Sequence, residues 1–122
     1  MGLALAPGGR RLVRSWRARV AVTGTSMCPT LEPGEWLLVD PDVYHRRPPR
    51  PGELVVAPDP RRAERLLVKR VAVLDIDGRV LVAGDARDVS TDSRTFGAID
   101  PASLQGRAWF RIWPRERFGT LR

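Results

Sequence analysis

Short apolar runs separated by polar, Gly- and Pro-rich stretches set the pattern of this chain. Arg19 to Thr23 centres on Val20, Ala21 and Val22 and predicts a first strand. Glu32, Pro33, Gly34 and Glu35 signal a turn, and Trp36 to Val39 a second strand. Leu54 to Ala57 predicts a third. Pro58 to Arg65 is polar, arginine-rich and without periodicity, so it reads as a loop. Leu66 to Asp75 predicts a long strand, Asp77 and Gly78 a two-residue turn, and Arg79 to Ala83 the returning strand; Asp-Gly between β-branched runs is a strong hairpin signal. Gly84 to Gly97 reads as a polar loop and Pro101 to Gln105 as one helical turn. Arg107 to Trp113 alternates, with Ala108, Phe110 and Ile112 on one side of a last strand. The N-terminus differs: Arg10 to Arg19 predict a short basic helix with Leu12, Val13 and Trp16 on one side, packing on the body or fraying. The pattern as a whole predicts an all-β fold of mainly antiparallel strands with little helix. It divides into an irregular or helical basic arm over residues 1–18 and a single domain over 19–122.

Composition narrows the function. At 122 residues and 43% hydrophobic content, one domain with a small core is expected. The formal net charge is +7, but the basic residues are 20 arginines and a single lysine spread along the chain. No one helix gathers them, so no nucleic-acid partner is expected. The single cysteine, Cys28, excludes an intrachain disulfide. With the single histidine, His45, it cannot make a common zinc site, and neither metal nor cofactor is expected. No run of about 18 apolar residues occurs, so no membrane anchor is expected. Leu3 to Pro7 is too short for a secretory signal and its charges follow it. A cytoplasmic location is expected, with peripheral membrane contact through the basic arm as a variant.

Two stretches carry candidate chemistry. In Gly24-Thr25-Ser26-Met27-Cys28-Pro29-Thr30-Leu31, Gly24 and Pro29 fix the backbone around Ser26 on a tight connection after the first strand. A serine there is commonly a turn residue; it becomes a nucleophile when a base reaches it. Lys69 is the only lysine. Strand alternation sets Leu67, Lys69, Val71 and Val73 on one face. An amine desolvated there has its pKa lowered from about 10.4 toward neutrality. It could take the Ser26 proton and return it to the leaving amine. A Ser-Lys pair needs neither histidine nor metal. The plain alternative is a lysine snorkelling from a half-buried strand. His45 reads as a solvated loop residue, and Cys28 with His45 as a weaker nucleophile pair. In the polar loop, Asp92 and Arg94 can pair and Ser90 and Ser93 can hydrogen-bond locally.

Ser26-Met27-Cys28-Pro29-Thr30-Leu31, then Lys69-Arg70-Val71, then Gly84-Asp85 with Ser90-Thr91-Asp92-Ser93-Arg94-Thr95-Phe96-Gly97, resembles the signal peptidase I family in order and local spacing, over roughly residues 20 to 113. The resemblance implies a signal-peptidase-like β-barrel or coiled sheet. It implies Ser26 as nucleophile, Lys69 as general base and Ser90 as the residue orienting the lysine amine. Asp92 and Arg94 would be a structural ion pair, the Ser26 N–H an oxyanion donor, and Met27 and Pro29 would shape the loop and cleft. Two departures stand out. Gly24 occupies the place of a hydroxyl residue that supplies a second oxyanion donor, with Thr25 nearby. Ala86 replaces the usual Asn after Gly-Asp. Lacking an anchor and a second β-domain, the chain is most similar to the nickel-type superoxide dismutase maturation proteases. The implied partner is a protein precursor bound as an extended peptide. The alternatives are a preprotein signal peptidase working with a membrane partner, a non-catalytic peptide-binding module, and a self-cleaving SOS-type regulator, for which no DNA-binding domain has room.

Overall fold

The computed structural model describes residues 7–86 and 97–122, with side chains from residue 10 onward. Their architecture is one antiparallel sheet with little helix, as the apolar pattern predicts. Helix α1 spans Pro7–Arg17 and α2 is one turn, Val43–Arg46. The strands are β1 Val20–Ala21, β2 Trp36–Asp40, β3 Leu54–Asp59, β4 Arg62–Leu74, β5 Val80–Ala83, β6 Gly106–Trp113 and β7 Gly119–Thr120. They form a seven-stranded sheet in the order β1-β2-β6-β3-β4-β5, with β7 also paired to β6. Pro101–Ser103 makes one 3₁₀ turn, capped by the Asp100 carboxylate accepting from the Ala102 N–H.

The central strand β3 is buried on both faces, which is why it reads as a continuous apolar run. Leu54 and Val56 join Val22, Met27, Leu31, Leu37, Val39, Ala108 and Leu121 on one side. Val55 and Ala57 join Val71, Val80, Val82 and Ile99 on the other. Burying each of the Val, Leu, Ile and Met side chains among them contributes about 1.5–3 kcal/mol.

Four expectations are corrected. Pro58 to Arg65 is not a loop. β3 runs on through Pro58 and Asp59, and β4 starts at Arg62, because the Asp59 carboxylate accepts from the Arg61 N–H and closes a tight turn. The pairing there is irregular: Pro58 opposes Leu66 while Asp59 opposes Arg62. The connection at Asp77-Gly78 is longer than two residues. The Asp75 N–H donates to the Arg79 carbonyl and Gly78 takes a φ of +80°. Third, single-residue shifts break the alternation of two strands. Val71 opposes Val82 but Val73 opposes Leu81, so Val71 is buried and Val73 is 48% exposed. Likewise Ala108 opposes Val39 and Phe110 opposes Leu38, so Ala108 and Phe110 leave their common side. Fourth, His45 lies on the exposed turn of α2 rather than in a loop.

Helix α1 packs on the body through its polar side. Ser15 is fully buried and its hydroxyl accepts from Trp109 Nε1 at 3.0 Å. Arg11 lies over the Trp109 ring and pairs with Asp40, and Arg14 pairs with Asp42. Leu12, Val13 and Trp16 face outward at 50%, 42% and 54% exposure. Among the described residues no helix is long and apolar enough to cross a membrane.

Candidate active site

The loop from Val22 to Glu35 is closed at its base by two backbone bonds. The Val22 N–H donates to the Glu35 carbonyl at 2.7 Å, and Gly34 N–H returns to the Val22 carbonyl at 2.8 Å. Gly24 takes a φ of +75°, a conformation that a side chain disfavours. Met27 and Leu31 then turn into the core, at 3% and 0% exposure, and pin the far side of the loop. Ser26, between the exposed Thr23–Thr25 segment and the Met27 anchor, is left half-buried.

A set of cations holds this loop from behind. Buried Glu35 accepts from Arg111 at 2.9 Å and from the Glu32 N–H at 2.9 Å. Arg111 also donates to the Thr30 carbonyl, and Arg117 to the carbonyls of Pro29 and Thr30. On the other side the Ala86 N–H donates to the Ser26 carbonyl at 2.9 Å.

Lys69 sits mid-strand in β4, directly opposite Val55, and is 3% exposed. Its neighbour Arg70 grips Asp85 through two bonds, at 2.9 and 2.8 Å, and also donates to the carbonyls of Gly52 and Arg122. The Thr30 hydroxyl donates to the same Asp85 carboxylate. Asp85 therefore ties the loop that carries Ser26 to the strand that carries Lys69. The hydrogen bond from Arg70, and then that from Thr30, hold Asp85 below its ordinary pKa against the opposing effect of partial burial.

Ser26 and Lys69 line one cavity of about 340 Å³, with Thr23, Gly24, Thr25, Arg61, Arg65 and the 66–68 stretch of β4. A second cavity of about 430 Å³ adjoins it and shares Ser26; Val20, Val22, Met27, Trp36, Val56 and Val68 give it an apolar lining. β4 pairs with β3 along its length but meets β5 only from Arg70 onward, so among the described residues 62–69 have one unpaired backbone edge.

Among the expected site residues, the fold brings Ser26, Lys69, Gly24 and Thr25 to the first cavity, and Met27 to the second. Pro29 lines neither; it is exposed and holds the loop through its carbonyl. Ser90, Asp92 and Arg94 lie outside the described residues. The Cys28–His45 pair is not brought together at a cavity. The Cys28 thiol faces Glu32, and burial followed by the Glu32 charge pushes its pKa up, away from the thiolate. Sequence reasoning assigned no role to Arg70, Asp85 or Thr30, although all three stand in the quoted motifs. It missed Arg61 and Arg65 altogether, having read them as loop. Among the described residues no group of three or more His, Cys, Asp or Glu side chains could hold a metal ion.

The family model described as signal peptidase, peptidase S26, matches residues 11–75 and 76–113. Mitochondrial inner membrane protease subunit 1 of Xenopus tropicalis is 33% identical over 84% of this chain and 73% of its own length. The Arabidopsis thaliana mitochondrial ATP-independent inner membrane protease subunit 1b is 32% identical over 80% of this chain and 71% of its own. A probable signal peptidase I-1 from Synechocystis is 28% identical over 82% and 73%. The chain belongs to the signal peptidase, peptidase S26, family and is a serine-type endopeptidase.

Proposed function

We propose that Ser26 and Lys69 form the catalytic dyad of a leader-removing endopeptidase, and that residues 19–122 are its catalytic domain behind the arm of 1–18. The observation that carries this reading is their shared cavity beside an open strand edge. The substrate lies extended along residues 62–69 of β4, adding a strand to that edge. Lys69 takes the Ser26 hydroxyl proton as the oxygen attacks the scissile carbonyl. Its near-complete burial favours the neutral amine that this step needs. The Ser26 N–H stabilises the oxyanion. The amine product leaves with the proton returned by Lys69, and water, deprotonated by Lys69, then hydrolyses the acyl-Ser26 ester. With Gly24 in place of a hydroxyl residue, a second oxyanion donor must come from the backbone or from Thr25; losing one donor altogether costs on the order of a hundredfold in rate. The family resemblance implies that Ser90 would orient the lysine amine and that Asp92 and Arg94 would form an ion pair; all three lie outside the described residues.

The substrate proposed first is the precursor of a nickel superoxide dismutase, processed in the cytoplasm after a small residue. This rests on the resemblance to the maturation proteases. Co-expression of the chain with that precursor, read by intact mass, tests it: loss of the leader supports the reading, and an uncut precursor rejects this substrate. A second reading is favoured by helix α1, whose outward Leu12, Val13 and Trp16 lie beside exposed arginines. Such a face suits peripheral contact with an anionic membrane. The substrate would then be an exported preprotein, presented together with a membrane partner, and the relatives named as inner membrane proteases accord with that setting.

A further inference from the structure

Among the described residues, the two cavities are lined by the basic side chains Arg19, Arg61, Arg65 and Lys69 and by no Asp or Glu. Most nearby cations are already occupied. Arg61 grips Asp59 through two side-chain bonds, and Arg62 pairs with Glu64. Arg19 donates to the Trp16 carbonyl and lies 4.5 Å over the Trp16 ring. Arg65 differs. It is exposed, lines both cavities, and makes no hydrogen bond or close ion pair with another described residue; its charge acts on Asp59 only as the last of the influences that lower that carboxyl's pKa, behind Arg61. It also sits where β4 leaves regular register with β3, between the Asp59–Arg62 and Pro58–Leu66 pairs, so it projects from the start of the open edge.

We propose that Arg65 is a specificity residue that selects peptides carrying an acidic side chain close to the bond that is cut. This rests on the reading of the cleft as the peptide site. A peptide added to the β4 edge presents every second side chain to one face. A carboxylate at one of those positions meets a guanidinium that can take it in a bidentate geometry. The apolar floor of the larger cavity receives small or apolar neighbours, while the cationic rim sets the preference for acid. Arg65 acts on peptide binding and takes no part in proton transfer.

The test measures binding apart from cleavage. Short fluorescein-labelled peptides of alanine and threonine, each with one Asp or its isostere Asn moved stepwise along the chain, are titrated against the Ser26→Ala protein by anisotropy. The proposal expects Asp to bind about five-fold more tightly than Asn at alternate positions, with the gain shrinking as salt is raised. Arg65→Lys weakens the preference without reversing it, Arg65→Gln removes it and Arg65→Glu inverts it. In the cleaving native protein the same preference falls in KM rather than kcat. Equal affinities for Asp and Asn at every position, or an Asp preference that survives Arg65→Glu, overturn the proposal whether or not the native chain cuts these peptides. Tight binding with no cleavage would instead reject the catalytic reading and leave the role of Arg65 standing.

Discussion

Asp85 and Gly106 do unlike work in one small fold. Asp85 joins Thr30 of the Ser26 loop to Arg70, the residue after Lys69. Asp85→Asn keeps the shape but weakens both bonds of the ion pair. We expect a loss of about 1–3 kcal/mol in stability and a larger proportional loss of activity, measured as melting temperature and cleavage rate on the same preparation. The sign of its pH dependence follows from its depressed pKa. The stabilisation is present above the unfolded value, about 3.9, and is lost as pH falls through the lower folded value. Below about pH 4 the native protein should therefore lose melting temperature more steeply than Asp85→Asn; parallel curves would contradict this. Gly106 is needed for space. A Cβ there would lie 2.2 Å from the Asp40 carbonyl oxygen, and the residue has a φ of +152°. Gly106→Ala should cost about 3 kcal/mol, at the upper end for overpacking, read by chemical denaturation.

At the scale of elements, the apolar rhythm made most strands legible. β2, β3 and the Lys69–Val71 part of β4 follow it directly. What escaped it depends on register. The shift around Ala72 turns Val73 outward, and the one between Ala108 and Phe110 divides residues that strict alternation puts together. The extension of β3 through Pro58 and Asp59 was hidden by arginine-rich composition. It is held by the Asp59–Arg61 contacts rather than by apolar burial. The Ser26 loop was legible as a loop, but its anchoring was not, since Leu31, Glu35, Arg111 and Arg117 meet only in the fold. Leu31→Ala should destabilise by about 3 kcal/mol. It should also slow cleavage beyond the unfolded fraction, because the same side chain pins the loop that carries Ser26.

Across the whole molecule, the orientation of α1 was the least legible feature. Its apolar side faces out because Ser15 finds Trp109 and Arg11 and Arg14 find Asp40 and Asp42, partners many residues away. If that face meets a bilayer, the protein should float with anionic phospholipid vesicles, and a Leu12→Ser, Trp16→Ser double variant should not. Native protein that ignores such vesicles would remove the membrane setting. The candidate site was legible where motif residues lie close together in sequence. Its cationic rim was not, because Arg61 and Arg65 reach the cavity only through an irregular hairpin.

The dyad is tested most directly by cleavage rates of one precursor with four proteins: native, Ser26→Ala, Lys69→Met and Lys69→Arg, each first shown to melt as the native chain does. Cleavage by the native protein and a fall of at least about a thousand-fold in all three variants is the result the account predicts. Any of the three retaining a tenth of the native rate would contradict it, and Lys69→Arg doing so would mean that the lysine supplies charge rather than a base.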